Sequence, residues 1–300
     1  MDLRRIRHFV VLAETLNFRR AAERLHMAQP PLSVSIQKLE VELGTKLFAR
    51  ESSGVTLTPS GRAVLIEARK LLFHGSQLSE IAAHAQDGTG GTLQIGFVGS
   101  TIHGMLQKLL PLFRAEYPGV ELILREATSL SIIQQLEDRV LDIGLVRVPL
   151  MQSSEAKLLH LEPDVFIAAL PRDSRLADCQ PLRLSDMAGE SFVMYAPTHA
   201  AGLHSAALLA CQQAGFIPKV SQQAIQVQTV LALVESGLGV ALVPSIMQRY
   251  ISDRILYRAL VDVVPASSIG LALAYMADTE SMAATRFREL ASHVLVPTPN

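Results

Sequence analysis

The feature that most constrains this chain is a change of hydrophobic period near residue 90. Before it, apolar side chains recur at helical spacing; from Thr92 onward, short apolar runs alternate with helical stretches. A polypeptide that switches period in this way folds as two pieces, a mainly helical head and an α/β body, and 300 residues suffice for both.

In the head, Leu3, Ile6, Phe9, Val10 and Ala13 predict a first helix. Asn17 is placed to cap a second, whose inward face is Phe18, Ala21, Ala22 and Leu25; the alanine pair lets another helix approach closely. After a break at His26-Met27-Ala28, a third helix is predicted over Gln29–Leu43. Pro30 and Pro31 fall in its first turn, where a missing N–H costs little, and Gly44 stops it. Its apolar face is Leu32, Ile36, Leu39 and Leu43. The opposite face shows Gln29, Ser33, Val34, Ser35, Gln37 and Lys38, with almost no acid near the N-terminal end. A helix entering the major groove needs small residues for close approach, amides and hydroxyls for base edges and cations for phosphates. Arg19, Arg20 and Arg24 precede it and are placed for backbone phosphates. The alternating runs Lys46–Arg50 and Val55–Thr58, around Ser52-Ser53-Gly54, predict a two-stranded wing with Arg50 near a phosphate. Periodicity alone leaves open a small three-helix domain with a solvated polar face.

Charge adds to the case. The net charge of −1 hides an asymmetry: residues 1–70 carry 12 Lys/Arg against 7 Asp/Glu, and the remainder 15 against 21. A basic head on an acidic body suits an N-terminus that meets an anionic polymer.

Motif detail goes further. Leu3-Arg4-Arg5-Ile6-Arg7-His8-Phe9, Asn17-Phe18-x-x-Ala21-Ala22-x-x-Leu25, Ala28-Gln29-Pro30-Pro31-Leu32-Ser33, Ile36-x-x-Leu39-Glu40-x-x-Leu43-Gly44, Leu47-Phe48-x-Arg50 and Leu57-Thr58-Pro59-x-Gly61 stand in register. Residues 1–62 resemble the DNA-binding domain of the LysR-type transcriptional regulators. The resemblance implies a winged helix-turn-helix over residues 1–58, a linker and dimerisation helix over 59–87, and a periplasmic-binding-protein-like effector domain over 88–300. Of that domain, 92–162 and 268–300 would form one subdomain and 163–267 the other. It also implies promoter DNA, a homodimer or homotetramer, and RNA polymerase as partners. The DNA-contacting set is then Asn17, Arg19, Arg20, Gln29, Pro30, Pro31, Ser33, Ser35, Gln37, Lys38 and Arg50. Three positions depart from the common pattern and bear on which bases are read: Ala28, where a capping Ser is frequent, Val34, and the Arg-free wing tip Ser52-Ser53-Gly54.

Thr58 is read as an N-cap with Pro59 at the first helical position, opening a helix to about Gln86. Val64, Leu71, Leu78 and Ala85 fall seven apart, with Ala68, Gly75 and Ala82 on the complementary positions. The seam serves either a second copy or the helix's own domain. Gly88-Thr89-Gly90-Gly91 reads as a flexible hinge.

In the body, strands are predicted at Leu93–Val98, Val120–Arg125, Ile143–Val146, Val165–Leu170, Phe192–Tyr195, Val220–Ala224, Val240–Val243 and Ile269–Tyr275, with helices between them and a last helix over Met282–Val294. Such alternation predicts parallel sheets flanked by helices. Ligands in these folds lie at strand C-termini beside helix N-termini. The residues so placed are Ser100, Thr101 and His103 after the first strand, Thr128 and Ser129 after the second, Arg147 after the third, Pro197, Thr198 and His199 after the Phe192 strand, and Gln226, Val227 and Gln228 at a later helix start. Converging hydroxyls, amides and free N–H groups suit a carboxylate, although any such Ser or Thr also serves as a plain cap. The run Ile95-Gly96-Phe97-Val98-Gly99-Ser100 resembles the branch of the family that senses aromatic-degradation carboxylates such as benzoate or muconate. The effector is therefore expected to be a small organic acid, with no cofactor.

Other functions fare worse. There is no GxSxG, no GxxxxGK[ST], no complete GxGxxG and no HExxH, which argues against an enzyme. A solute-binding protein would not need the helix-turn-helix or lack an export signal. Cys179 and Cys211, without a CxxC, are expected as reduced thiols; a redox-sensing pair is the alternative. Without a secretory signal or a long apolar run, a cytoplasmic chain off the membrane is expected.

Overall fold

The computed structural model describes residues 2–51, 54–87, 90–262 and 269–296. Its packing divides into two compact units, the first comprising the described residues up to 87 with Asp138–Val140, the second the remainder.

In the first unit, α1 (Leu3–Thr15) begins where the Asp2 carboxylate accepts from the Arg4 amide, and α2 (Phe18–Arg24) where Asn17 Oδ1 accepts from Arg19 N and Arg20 N at 3.0 and 3.1 Å. These bonds satisfy N–H groups that a helix start leaves without partners. α3 (Gln29–Leu43) has no side-chain cap at Ala28 and ends at Gly44, which adopts φ +67. Ile6, Phe9, Leu12, Ala21, Ala22, Leu32, Ile36 and Leu39 form the core. Leu43, expected on the buried stripe, is exposed. The chain turns at Gly44 and brings Leu47 and Phe48 over Glu40 instead, so the acid is the buried member of the last turn.

β1 (Phe48–Glu51) and β2 (Gly54–Leu57) pair antiparallel, with Phe48 opposite Leu57 and Arg50 opposite Val55. The wing-tip residues Ser52 and Ser53 lie outside the described residues. α4 (Pro59–Asp87) starts at Thr58, whose Oγ1 accepts from Gly61 N at 2.9 Å. Gly61 has to be glycine: a Cβ there would lie 2.1 Å from the Leu47 carbonyl oxygen. The predicted heptad seam splits between its two readings. Ala68 is buried in the head core, and Gly75 faces the Leu3 side chain of α1. Leu71 and Leu78 stay 39% and 70% exposed. The side chains of Ala82 and Ala85, and the hinge residues Gly88 and Thr89, lie outside the described residues.

The second unit runs β3 (Gly91–Phe97), α5 (Gln107–Glu116), β4 (Val120–Glu126), α6 (Ser129–Glu137), β5 (Ile143–Val148), β6 (Lys157–Asp164), β7 (Phe166–Pro171), β8 (Ser191–Tyr195), α7 (Ala201–Gln213), β9 (Lys219–Ala224), α8 (Val227–Glu235), β10 (Ala241–Pro244), β11 (Ile255–Ala259), β12 (Ile269–Tyr275) and α9 (Met282–Leu295). It has two lobes with separate cores, one around Ile95, Phe113, Ile143, Leu273 and Phe287, the other around Phe166, Phe192, Tyr195, Val230 and Val243.

The sheets are mixed, not all parallel as the alternation predicts. β3 is parallel to β4 and β5, but β12 runs antiparallel between β5 and β6, and β10 and β11 flank β7 antiparallel. In the second lobe β8 and β9 pair parallel, and Phe192 and Val240 form a parallel bridge beside them. Parallel pairing requires a crossover between neighbouring strands. β12 follows a strand of the other lobe, β11, and pairs antiparallel with β5. β6 and β11, both missed from the pattern, are the strands added beside β12 and β7. The first sheet extends through Asp164, two residues past the boundary read from sequence. The helix expected directly after Ser100 is also delayed. The Thr101 hydroxyl and amide both donate to Val98 O, tightening Gly99–Thr101 into a 3-10 turn; a π turn follows over Ile102–Leu106, and α5 begins at Gln107. No described helix is long and apolar enough to cross a membrane.

Candidate DNA interface and effector cleft

On α3, Gln29, Pro30, Pro31, Val34, Gln37 and Lys38 are exposed together, and Ser33 is half-buried. Ser35 has another engagement: its Oγ lies 2.8 Å from His8 Nδ1 of α1. Burial, then the Arg4 charge, hold His8 below its ordinary pKa, so the neutral ring joins the two helices. Of the basic residues, Arg19 is paired with Glu23 at 3.1 Å and Arg24 with Glu14 at 2.8 Å. Arg20 and Lys38 have no ion-pair partner among the described residues and remain available to phosphates. Asn17 spends its carboxamide oxygen on the α2 cap. Arg50 stands on β1, and its side chain lies outside the described residues.

Sequence reasoning gave Glu40 no role, although an acid at i+4 from Ile36, inside an apolar stripe, was the available signal. Its Oε1 accepts from Leu47 N at 2.9 Å and Phe48 N at 3.3 Å, and its Oε2 from Lys46 Nζ at 2.8 Å.

In the body, one cleft holds about 850 Å³ of empty space, its open mouth included. Its wall is drawn from the end of β3 (Val98, Ser100), the start of α6 (Thr128, Ser129, Leu130), the end of β5 and the segment after it (Arg147 to Gln152), the start of α7 (His199 to Leu203) and the start of α8 (Ile225 to Val227). The topology thus brings together Ser100, Thr128, Ser129, Arg147, His199, Gln226 and Val227. Thr101, Pro197, Thr198 and Gln228 do not line it. Thr101 is buried in its own turn, Thr198 Oγ1 lies 2.8 Å from His199 Nδ1, and Gln228 packs its carboxamide against Gly99. The side chain of His103 lies outside the described residues.

Among the described residues, Arg147 is the one charged side chain lining this cleft. It is buried, and its Nη1 donates to Asp164 Oδ2 and its Nη2 to Ser100 Oγ, each at 2.9 Å. Its backbone N donates to Ser129 Oγ at 3.0 Å. Asp164 carries this arrangement into the second lobe: its Oδ1 accepts from Val165 N, Ser245 N and Ser245 Oγ at 2.8, 2.9 and 2.6 Å. No periodicity marks Asp164, which gains its role only when the end of β6 meets Ser245, after β10. Three helix N-termini open on the cleft. At α6 the Thr128 hydroxyl accepts from Ser131 N, whereas α7 and α8 have no side-chain cap, at Ala200 and Gln226. Uncapped N–H groups carry positive potential and suit an anion. Val98, Leu130, Leu150, Met151, Leu203 and Ile225 give the rest of the wall an apolar character.

Both cysteines are free thiols, Cys179 half-buried and Cys211 buried. Cys211 is fully buried in the second-lobe core, and that burial pushes its thiol up to about 12, which removes the thiolate that peroxide attack requires.

A winged head with an amide- and hydroxyl-bearing helix face, and a two-lobed body with a polar-ended cleft, define a DNA-binding regulator that carries a ligand-binding domain. Comparison with known proteins agrees. Residues 3–62 match the bacterial regulatory helix-turn-helix protein, lysR family, and residues 86–295 match the LysR substrate binding domain. The chain is 33% identical over 265 residues to the HTH-type transcriptional regulator XapR of Escherichia coli (strain K12), spanning 88% of this chain and 90% of XapR. It is 38% identical over 271 residues to the HTH-type transcriptional regulator CatR of Pseudomonas putida, spanning 90% and 91%. Among solved structures, CbnR, a LysR family transcriptional regulator, superposes with a TM-score of 0.78 at 21% identity, over 99% of this chain and 100% of CbnR. The chain belongs to the LysR family: it is a DNA-binding transcriptional regulator with a substrate-binding domain, and not an enzyme.

Proposed function

We propose that this regulator is controlled by a small organic carboxylate seated in the body cleft, its charged end at Ser100, Thr128 and Arg147 and its apolar part against Leu130, Met151 and Ile225. One observation carries this: among the described residues, the only charged side chain on the wall is a buried arginine, in a cleft onto which two uncapped helix N-termini open. The Asp164 carboxylate occupies one edge of the guanidinium, while Arg147 Nε has no hydrogen-bond partner among the described residues. The effector shifts the two lobes only through unequal affinity for their arrangements.

On the DNA side, the exposed Gln29 reads a base edge, Pro30, Pro31 and Ser33 permit close approach, and Arg20, Lys38 and Arg50 meet phosphates. A second copy covers the exposed Leu71 and Leu78 of α4, so that two reading helices meet a palindromic site. RNA polymerase is the downstream partner, in the cytoplasm.

A thermal-shift series with benzoate, muconate and related acids tests the cleft. The chain carrying both Ser100→Ala and Thr128→Ala should lose the ligand-induced shift and keep its DNA affinity. A full shift in that double variant would show that the ligand sits elsewhere.

A further inference from the structure

The wing is joined to α3 through one buried acid. Glu40 is 7% exposed, and both hydrogen bonds to its Oε1 come from the root of β1, at Leu47 and Phe48. The backbone of the same residue holds the chain before the strand, Thr45 N donating to Glu40 O at 3.2 Å. The other root of the wing is tied to the same stretch: Thr58 Oγ1 donates to Lys46 O at 2.7 Å and Thr58 N to Leu47 O at 3.0 Å. A two-stranded ribbon has no larger sheet to brace it, so these root contacts, with the burial of Leu47 and Phe48 in the head core, hold its orientation to α3.

An apolar side chain of similar volume would avoid the desolvation that a buried carboxylate suffers, and a neighbouring polyanion increases that cost. The carboxylate supplies direction instead. Two convergent charge-assisted bonds hold Leu47 and Phe48 in one place against the helix, and the exposed Lys46 ammonium screens the charge on its outer side. Burial alone would raise the Glu40 carboxyl, but the bonds from Lys46, Leu47 and Phe48 outweigh it and hold the group below the usual carboxylate range, ionised at neutral pH.

We infer that Glu40 is a positioning residue for DNA binding: its carboxylate locks the wing to α3 so that wing and reading face meet one duplex together. The test uses the full chain, with amide exchange at Leu47 and Phe48 and binding to a labelled duplex that the wild-type chain has selected from a random pool. In E40Q those two amides should exchange faster while α1 stays protected. Affinity should fall about tenfold, the size of one weakened charge-assisted contact, and the salt dependence should flatten by about one phosphate. E40D keeps the charge but shortens the reach; it should show the same pattern, and it decides the matter if E40Q does not fold.

Wild-type affinity in a folded E40D chain, or equally faster exchange across the whole head, would overturn the inference. A further measurement rests on the reading of Arg50 as a phosphate contact: the E40D loss should shrink in an Arg50→Ala background, and an undiminished loss there counts against wing positioning. If Arg50→Ala alone binds as wild type, the Arg50 contact falls, and exchange and affinity of E40D still judge Glu40.

Discussion

The proposed DNA face and the proposed effector cleft are built in opposite ways. The proposed DNA face occupies α2, the 15-residue α3 and the hairpin that follows it, so its residues are neighbours in the chain before they are neighbours in space. The cleft gathers five separated segments between residues 98 and 227, and the chain has to cross between lobes before Ser100, Arg147 and Gln226 share a wall. Side chains of the first site are mostly exposed and independent of one another. In the second, Ser100, Arg147 and Asp164 are buried and mutually bonded, with Arg147 touching Ser100 and Asp164, and Asp164 touching Ser245, while much of the remaining wall is exposed or half-buried. A site written locally should tolerate change in stability and lose specificity. A site assembled from afar should lose stability first.

The hardest test of that contrast is Asp164→Ala. Leaving Arg147 buried without its counter-charge should cost about 3–5 kcal/mol of body stability in chemical denaturation, while the folded remainder binds DNA normally. A cost below about 1 kcal/mol would put the cleft on the same footing as a surface pair and break the contrast. Next comes Gly202→Ala. A Cβ there would lie 2.0 Å from the Pro149 carbonyl oxygen, and both residues line the cleft. Forcing them apart should cost about 1–3 kcal/mol and abolish the ligand-induced thermal shift.

In the head, Gln29→Ala should lose about 1–3 kcal/mol of discrimination between cognate and altered duplexes with an unchanged denaturation midpoint. Altered stability with intact discrimination would reverse the assignment. Asn17→Ala, which removes the acceptor for two α2 amides, should cost about 1 kcal/mol of head stability. The smallest effect is expected from pH. Glu40 is held below its unfolded value, so the native state binds its proton less readily and the stability this brings is present at neutral pH. It is lost as pH falls below about 4.3 and through the lower native value, and E40Q should remove that segment of the pH profile.

Much of the head was legible residue by residue. Asn17, Thr58, Gly44 and the Gln29–Leu43 helix stand where the spacing places them, because caps, stops and helical period act within a few residues. The failures lie where the chain folds back on itself. Leu43 is exposed and Glu40 buried because the segment after Gly44 covers one and not the other, and Ser35 answers to His8 on another helix. In the body, strand and helix alternation showed which segments would be which, and Ser100, Thr128 and Arg147 already stood at strand ends.

The pattern did not contain the antiparallel entry of β12, the strands β6 and β11, or the tie from Arg147 through Asp164 to Ser245. Period and capping are properties of a few consecutive residues, so the amino-acid order determined the helices of the head, the heptad helix and the two-part organisation. Which strands pair, which acid is buried and which helix starts share a cleft depend on contacts between residues tens to more than a hundred positions apart. Only the packed chain decides those.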